Sequence, residues 1–208
     1  MSILLISGSP AVPSSSSRLL HHIGDKLAVH GYRTPRLNVR DLPAQALLAA
    51  DNTDPVIRAA LAEVAEAHAV IVATPVYKAA YAGVLKAFLD LLPQNGLAGK
   101  IVLPVATGGS QSHLLALDYA LRPVLHALEA DQVLASIYAT SHQVQWSEHE
   151  GVLLAPEIAV RVAAGVATLD RALGYRTAAD KAAGTAADKA ARAPVRSLQD
   201  HPYVSQAA

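Results

Sequence analysis

The sequence contains no cysteine, which excludes disulfide bonds, thiolate metal sites and a cysteine nucleophile. It also lacks an excess of either charge, because 17 basic residues balance 17 acidic ones. A neutral chain is a poor match for nucleic acid or an anionic membrane surface, so we expect neither as the main partner. No apolar stretch is long enough to span a bilayer and no basic segment precedes the first apolar run. We therefore expect a cytoplasmic protein.

Metal-binding patterns are also missing. The nine histidines are scattered along the chain, with no HxxxH pair and no HExxH segment. We therefore expect no metal ion, and a structural or surface role for each histidine.

The N-terminal segment predicts a buried strand followed by an anion site. The apolar run Ile3–Ile6 is typical of a strand buried on both faces in a parallel sheet. A loop with two prolines and four consecutive serines leads into a helical pattern, and a helix N-terminus offers unpaired N–H groups and a positive dipole end. Ser9 and the run Ser14, Ser15, Ser16 and Ser17 add hydroxyl groups, and Arg18 adds a full positive charge. The spacing fits neither a Walker A loop nor GxGxxG, so a mononucleotide-type phosphate is predicted; the simpler alternative is a strand-to-helix turn with serine caps.

Apolar strands alternate with helical patterns along most of the chain. This order predicts an α/β protein with a doubly wound, five-stranded parallel sheet and helices on both faces. The predicted strands are 3–7, 33–39, 69–73, 100–106 and 132–140, and the predicted helices are 18–30, 55–67, 84–92, 112–130 and 155–173.

The C-terminal part has a different composition. Residues 177–184 are repeated almost unchanged as residues 185–192, and neither copy contains a large apolar side chain. We therefore predict one domain over residues 1–176, followed by an alanine-rich, low-complexity tail over 177–208 that is disordered or partly helical.

Two further loops follow predicted buried strands. One contains Pro75, Val76, Tyr77 and Lys78, and the other contains Thr107, Gly108, Gly109 and Ser110. Each alone could be an ordinary helix-entry loop or tight turn. Because ligands of doubly wound sheets bind at the carboxyl ends of the strands, we expect these two loops and the serine-rich loop to line one crevice.

Three segments together resemble the NAD(P)H-dependent FMN reductases, and in particular the sulfonate-utilisation type that supplies reduced flavin to a separate monooxygenase. They are residues 8–10, 73–81 and 103–109; the similarity extends into 114–121 and spans roughly residues 1–175. The resemblance implies a flavodoxin-like fold, a homo-oligomer of two or four chains, and FMN with NADPH or NADH as the cofactors.

The resemblance also implies which part of the flavin each loop binds. The first loop would hold the FMN phosphate, and the second and third would hold the isoalloxazine ring. Relatives often carry arginines in the first loop, where this chain has Ala11 and Ser15, so Arg18 would supply the missing charge. Hydride transfer from nicotinamide to flavin requires mainly that the rings stack, so no side chain is assigned as a catalytic acid or base.

Two other functions share this fold. One is a quinone or azo reductase that retains its FMN, and the other is a flavodoxin-like electron carrier. Such carriers are usually markedly acidic, whereas this chain is neutral.

The predicted helix 112–130 contains a proline that should disturb it. Pro123 has no N–H to donate to the Tyr119 carbonyl, so a kink or a π-type turn is predicted near Tyr119. In the sulfonate-type reductases a tyrosine in this context marks a π-bulge at a subunit interface. The resemblance therefore places Tyr119 at an interface close to the flavin crevice.

Overall fold

The computed structural model describes the backbone of residues 1–191 and the side chains of residues 1–178. A first compact unit spans Met1–Leu173, and a second begins at Gly174. The strands are β1 (Ile3–Ser7), β2 (Arg36–Asn38), β3 (Ala69–Tyr77), β4 (Ala80–Tyr81), β5 (Ile101–Gly108), β6 (Gln132–Val133), β7 (Ile137–Thr140), β8 (Val144–Ser147) and β9 (Gly151–Leu154). The α-helices are α1 (Ser15–Val29), α2 (Ala44–Leu48), α3 (Pro55–Glu66), α4 (Gly83–Leu89), α5 (Arg122–Ala127) and α6 (Pro156–Ala191).

The central sheet is parallel and doubly wound, as predicted. Its strand order is β2-β1-β3-β5, and both β6 and β7 pair with β5 in the fifth position. The short strand β4 adds an antiparallel extension to β3, and β8 and β9 form a separate hairpin. The strands β2 and β5 differ from their predicted bounds by one to three residues at each end.

The fifth strand is split in two, which the sequence interpretation missed. Leu134 donates its N–H to the Val102 carbonyl at 2.9 Å, so the backbone groups of Val102 point toward the fifth strand. The backbone of Pro104, two residues later, faces the same neighbouring strand, because alternate residues of a parallel strand hydrogen-bond to the same neighbour. Proline has no N–H to give, and the pairing is interrupted there, between β6 and β7.

Both faces of the sheet are buried under helices. Leu4 and Ile6 pack in a core on the side of α3, α4 and α5, whereas Ile3 and Leu5 pack in a second core on the side of α1 and α6. The predicted burial of this apolar run on both faces is confirmed, since all four side chains are fully buried.

The segment predicted as a single helix over 112–130 is not one regular helix. It contains a 3₁₀ turn at Gln111–His113, a π-helical turn at Leu117–Leu121 and then α5. The predicted π-type turn near Tyr119 is confirmed. Its position agrees with the missing N–H of Pro123, which cannot serve the Tyr119 carbonyl in a regular α-helix.

The last helix continues beyond its predicted end at residue 173, as far as Ala191. The division into a domain and a low-complexity tail stays a prediction, and its residues 192–208 lie outside those that the structure describes. Within the described part of the chain, no helix is both long and apolar enough to cross a bilayer.

Candidate functional site

The three predicted loops meet at one cavity, which lies where β1, β3 and β5 end. Its volume is about 220 Å³. The predicted residues that line it are Ser9, Ser15, Pro75, Val76, Tyr77, Thr107, Gly108 and Gly109. Ser14 also lines it and belongs to the serine run predicted at the phosphate, whereas Ala11, Pro13 and Ser141 were not predicted. Ser17, Arg18, Lys78 and Ser110 are not part of the lining.

The four serines of the run 14–17 have different roles, in the cap of α1, in the interior and at the cavity. Ser14 is the N-cap of α1: its Oγ accepts the Ser17 N–H at 3.3 Å and lies 3.0 Å from Ser16 Oγ. Ser17 Oγ hydrogen-bonds Ser7 Oγ at 2.7 Å in the interior. Capping thus accounts for Ser14, and hydrogen bonds to other serines account for Ser16 and Ser17, while Ser14 and Ser15 also line the cavity.

The first loop is held close to the sheet and to α4. Gly8 donates its N–H to the Ala73 carbonyl at 2.7 Å, and a Cβ at position 8 would lie 2.6 Å from Leu85 Cβ. Beyond it, Ser9 Oγ accepts the Ala11 N–H at 3.3 Å. The loop backbone is therefore positioned before any ligand arrives.

Two arginines lie near this loop. Arg40 Nη1 donates to the Ala11 carbonyl at 2.8 Å, and Arg40 Nε lies 3.6 Å from the Asp41 carboxylate. The Arg18 guanidinium lies over the Trp146 ring, 5.0 Å from its centroid. Sequence reasoning selected Arg18 but missed Arg40, which is brought to the loop by the 3₁₀ turn Val39–Asp41.

The second loop is a strand extension rather than an irregular segment. The sequence interpretation ended this strand at Pro75, and that is wrong: β3 runs through Tyr77 and turns back into β4. The backbone of Pro75 faces the same side as that of Ala73, toward β1. Because β1 ends at Ser7, opposite Ala73, no neighbouring strand needs an N–H from Pro75. The turn is formed by Lys78 and Ala79, which both have positive φ (49° and 64°).

A buried threonine fixes the end of this strand. Thr74 Oγ1 accepts the Ala82 N–H at 3.0 Å and donates to the Pro75 carbonyl at 2.9 Å. This pair of bonds holds Pro75 and its neighbours in place at the cavity.

Two side chains, one on β7 and one in the turn after it, donate hydrogen bonds to the third loop. Tyr138 Oη donates to the Ser110 carbonyl at 2.5 Å, and Ser141 Oγ donates to the Gly108 carbonyl at 3.4 Å. Burial raises the pKa of Tyr138, so the phenol stays protonated as a donor at neutral pH. Sequence reasoning missed both residues; their only signal was their place at the carboxyl end of a predicted strand.

The chemistry of the lining favours binding over proton transfer. Among the lining residues that the structure describes, Tyr77 is the only one with a titratable side chain. No cluster of potential metal ligands occurs in the described part of the chain. What the cavity offers is the N-terminus of α1, serine hydroxyls, and glycine backbone that can lie close to a flat ring. These groups fit a phosphate-bearing heterocycle such as FMN.

Comparison with known proteins decides the family. Residues 1–145 match the family model described as NADPH-dependent FMN reductase. The chain belongs to this family. It is 41% identical over 176 residues to an FMN reductase (NADPH) of Escherichia coli, covering 85% of this chain and 92% of the relative. An FMN reductase (NADPH) of Pseudomonas putida is 47% identical over 148 residues, covering 71% and 75% of the two chains.

A solved structure supports the fold of this FMN reductase. An apo NADH:FMN oxidoreductase superposes with a TM-score of 0.74 and 40% identity, covering 81% of this chain and 87% of the other. The predicted flavodoxin-like architecture is therefore confirmed, as are the NAD(P)H:FMN oxidoreductase activity and its use of FMN and a nicotinamide coenzyme.

The residues of the lining can be matched to the parts of FMN that they would hold. When bound, FMN supplies the chemistry of accepting a hydride from NAD(P)H. The chain's own residues bind and orient: Ser9, Ser15 and the α1 N-terminus suit the phosphate, and the segments 75–77 and 107–109 suit the ring. These assignments to phosphate and ring stay predictions.

Proposed function

We propose that this FMN reductase binds FMN as a released substrate and supplies the reduced flavin to a separate monooxygenase, in the assimilation of sulfur from sulfonates. The observation that supports it most is the meeting of three positioned loops at one open cavity whose lining contains no acid–base pair. Such a site needs only to align two ring systems, which position alone can accomplish. We place the reaction in the cytoplasm, as expected from the sequence.

Release of the product is part of this proposal. Reduced FMN that leaves the enzyme needs an acceptor, and a monooxygenase that takes reduced flavin as a substrate is the class of enzyme that consumes it. The sulfonate role rests on the segments 73–81 and 103–109, which resemble the sulfonate-type reductases.

Steady-state kinetics test the proposal. Oxidation of NADPH or NADH by the purified protein should depend on added FMN and saturate with it, and the ratio of kcat/KM for the two coenzymes gives the preference. Full activity toward a quinone or azo dye without added FMN would instead show a retained flavin. Absence of NAD(P)H oxidation with added FMN would overturn the reductase assignment in favour of a carrier.

We also propose that Tyr119 lies at an interface between copies of this chain. Its side chain is 79% exposed on the π-helical turn, and the neighbouring Leu114 and Leu115 are also exposed apolar side chains. Several large exposed apolar side chains so close in sequence favour burial against a partner surface.

Deletion of Tyr119 tests the interface and its link to flavin release. The deletion should convert the π-helical turn to regular α-helix, change the sedimentation behaviour and leave FMN bound after purification. A deletion variant that sediments like the parent and stays colourless would contradict both parts.

A further inference from the structure

Arg18 lies on the face of α1 that leads to the cavity. It follows Ser14 by four residues and Ser15 by three, so all three positions share one side of the helix. Long side chains on helices generally lean toward the N-terminus, and this is the end of α1 at which the cavity lies. The segment 1–17 contains no lysine or arginine of its own.

The guanidinium of Arg18 lies over an aromatic ring. Its carbon lies 5.0 Å from the centroid of Trp146, and among residues 1–178 no carboxylate lies within ion-pair distance of it. Arg40 differs, because its Nη1 donates to the Ala11 carbonyl and its Nε lies 3.6 Å from the Asp41 carboxylate. Of these two arginines, Arg18 is therefore the one whose donors all remain available among the described side chains.

Stacking on an indole orders a guanidinium without using its donors. The cation–π contact involves the flat face, whereas the five N–H groups point outward from the edge of the plane. Trp146 belongs to β8 of the hairpin that follows the cavity residue Ser141, and the hairpin is thereby placed against α1. An ordered guanidinium loses less side-chain entropy when an anion binds.

We propose that Trp146 is a positioning residue that holds Arg18 ready to bind the flavin phosphate, so that the β8–β9 hairpin sets the preference for FMN over unphosphorylated riboflavin. This inference rests on the proposed placement of the phosphate at the N-terminus of α1. Arg18 makes the contact with the phosphate, and Trp146 acts through Arg18.

Kinetics with matched variants separate positioning from general folding. Trp146→Leu should raise the KM for FMN about two- to fivefold, the range of a partly exposed cation–π contact, and leave the KM for riboflavin as it is. Trp146→Phe keeps an aromatic face and should restore most of the FMN affinity. In the Arg18→Ala background, Trp146→Leu should have no further effect, because the cation it positions is gone. Equal changes in the KM for FMN and the KM for riboflavin, or additive effects of the two substitutions on the KM for FMN, would overturn the inference.

Fluorescence gives a readout that does not depend on activity. Trp146 is the only tryptophan of the chain, so its emission reports on this contact alone. Titration with inorganic phosphate should change the emission saturably in the parent protein and not in Arg18→Ala, with potassium chloride at equal ionic strength as the control. No phosphate-specific change in the parent would overturn the inference. Failure of the parent to oxidise NADPH with FMN would instead count against the proposed function, and the two failures are therefore distinguishable.

Discussion

Replacement of Gly108 by alanine tests the contact between the third loop and the fifth strand. A Cβ at position 108 would lie 2.3 Å from Tyr138 Oη and 3.2 Å from Tyr138 Cζ. Tyr138 is almost fully buried and its hydroxyl is bonded to the Ser110 carbonyl, so it has little room to withdraw. The added methyl group must therefore displace either the phenol or the loop.

The expected cost combines two effects. Overpacking of a buried site costs about 1–3 kcal/mol, and loss of the bond to Ser110 costs about 0.5–1.5 kcal/mol. We therefore expect Gly108→Ala to lower the free energy of unfolding by about 2–4 kcal/mol. Because Gly108 lines the cavity, the KM for FMN should also rise.

Urea unfolding of matched variants measures this effect. Gly109→Ala is the control, since a Cβ at position 109 meets no atom within 4 Å. In a Tyr138→Phe background the nearest atom, Tyr138 Oη, is removed, and Gly108→Ala should cost clearly less unfolding free energy than in the parent. Equal stability of Gly108→Ala and Gly109→Ala, or an equal cost in both backgrounds, would refute the reasoning.

Three further predictions concern capping, the turn after β3, and pH. Ser14→Ala should cost about 1 kcal/mol of unfolding free energy and weaken FMN more than riboflavin, whereas Asp54→Ala at the cap of α3 should cost a similar amount without changing flavin kinetics. Ala79→Gly should raise the unfolding free energy by about 0.5–1 kcal/mol in urea, because glycine tolerates φ of 64°; a loss of stability would contradict the turn geometry. Burial, and then the hydrogen bond to Asp170, raises the pKa of Tyr32 to about 12 from its usual 10.0. The folded state favours the protonated phenol, so this contribution is complete below about pH 10 and is lost toward about pH 12. The difference in stability between the parent and Tyr32→Phe should shrink over that range, and a constant difference would exclude the linkage.

Much of the scaffold was predictable because it depends on local patterns. The apolar run Ile3–Ile6 signalled burial on both faces, and Asp54 followed by Pro55 signalled the start of α3. The meeting of three loops also followed from sequence, since the carboxyl ends of neighbouring parallel strands share one edge.

The missed features depend on contacts between distant residues. The bond from Tyr138 to Ser110 joins residues 28 positions apart, and the stacking of Arg18 on Trp146 joins α1 to the β8–β9 hairpin. Pro75 was misleading for a related reason. A proline ends a strand only where a neighbour needs its N–H, and the sequence does not show that β1 has already stopped beside it.

The split of the fifth strand has a consequence for how copies of this chain can associate. At that side of the sheet, β6 offers two residues and β7 four, and on the opposite side β2 offers three. Short, interrupted edges are poor templates for an incoming strand, so edge-to-edge pairing and the aggregation that follows from it are disfavoured. Pro104 lies in the interior strand β5, and by interrupting the fifth strand it makes that edge of the sheet a poor template for pairing. The proposed association of copies would instead use side-chain surfaces such as the one around Tyr119, where contact can form and separate without exchange of backbone hydrogen bonds.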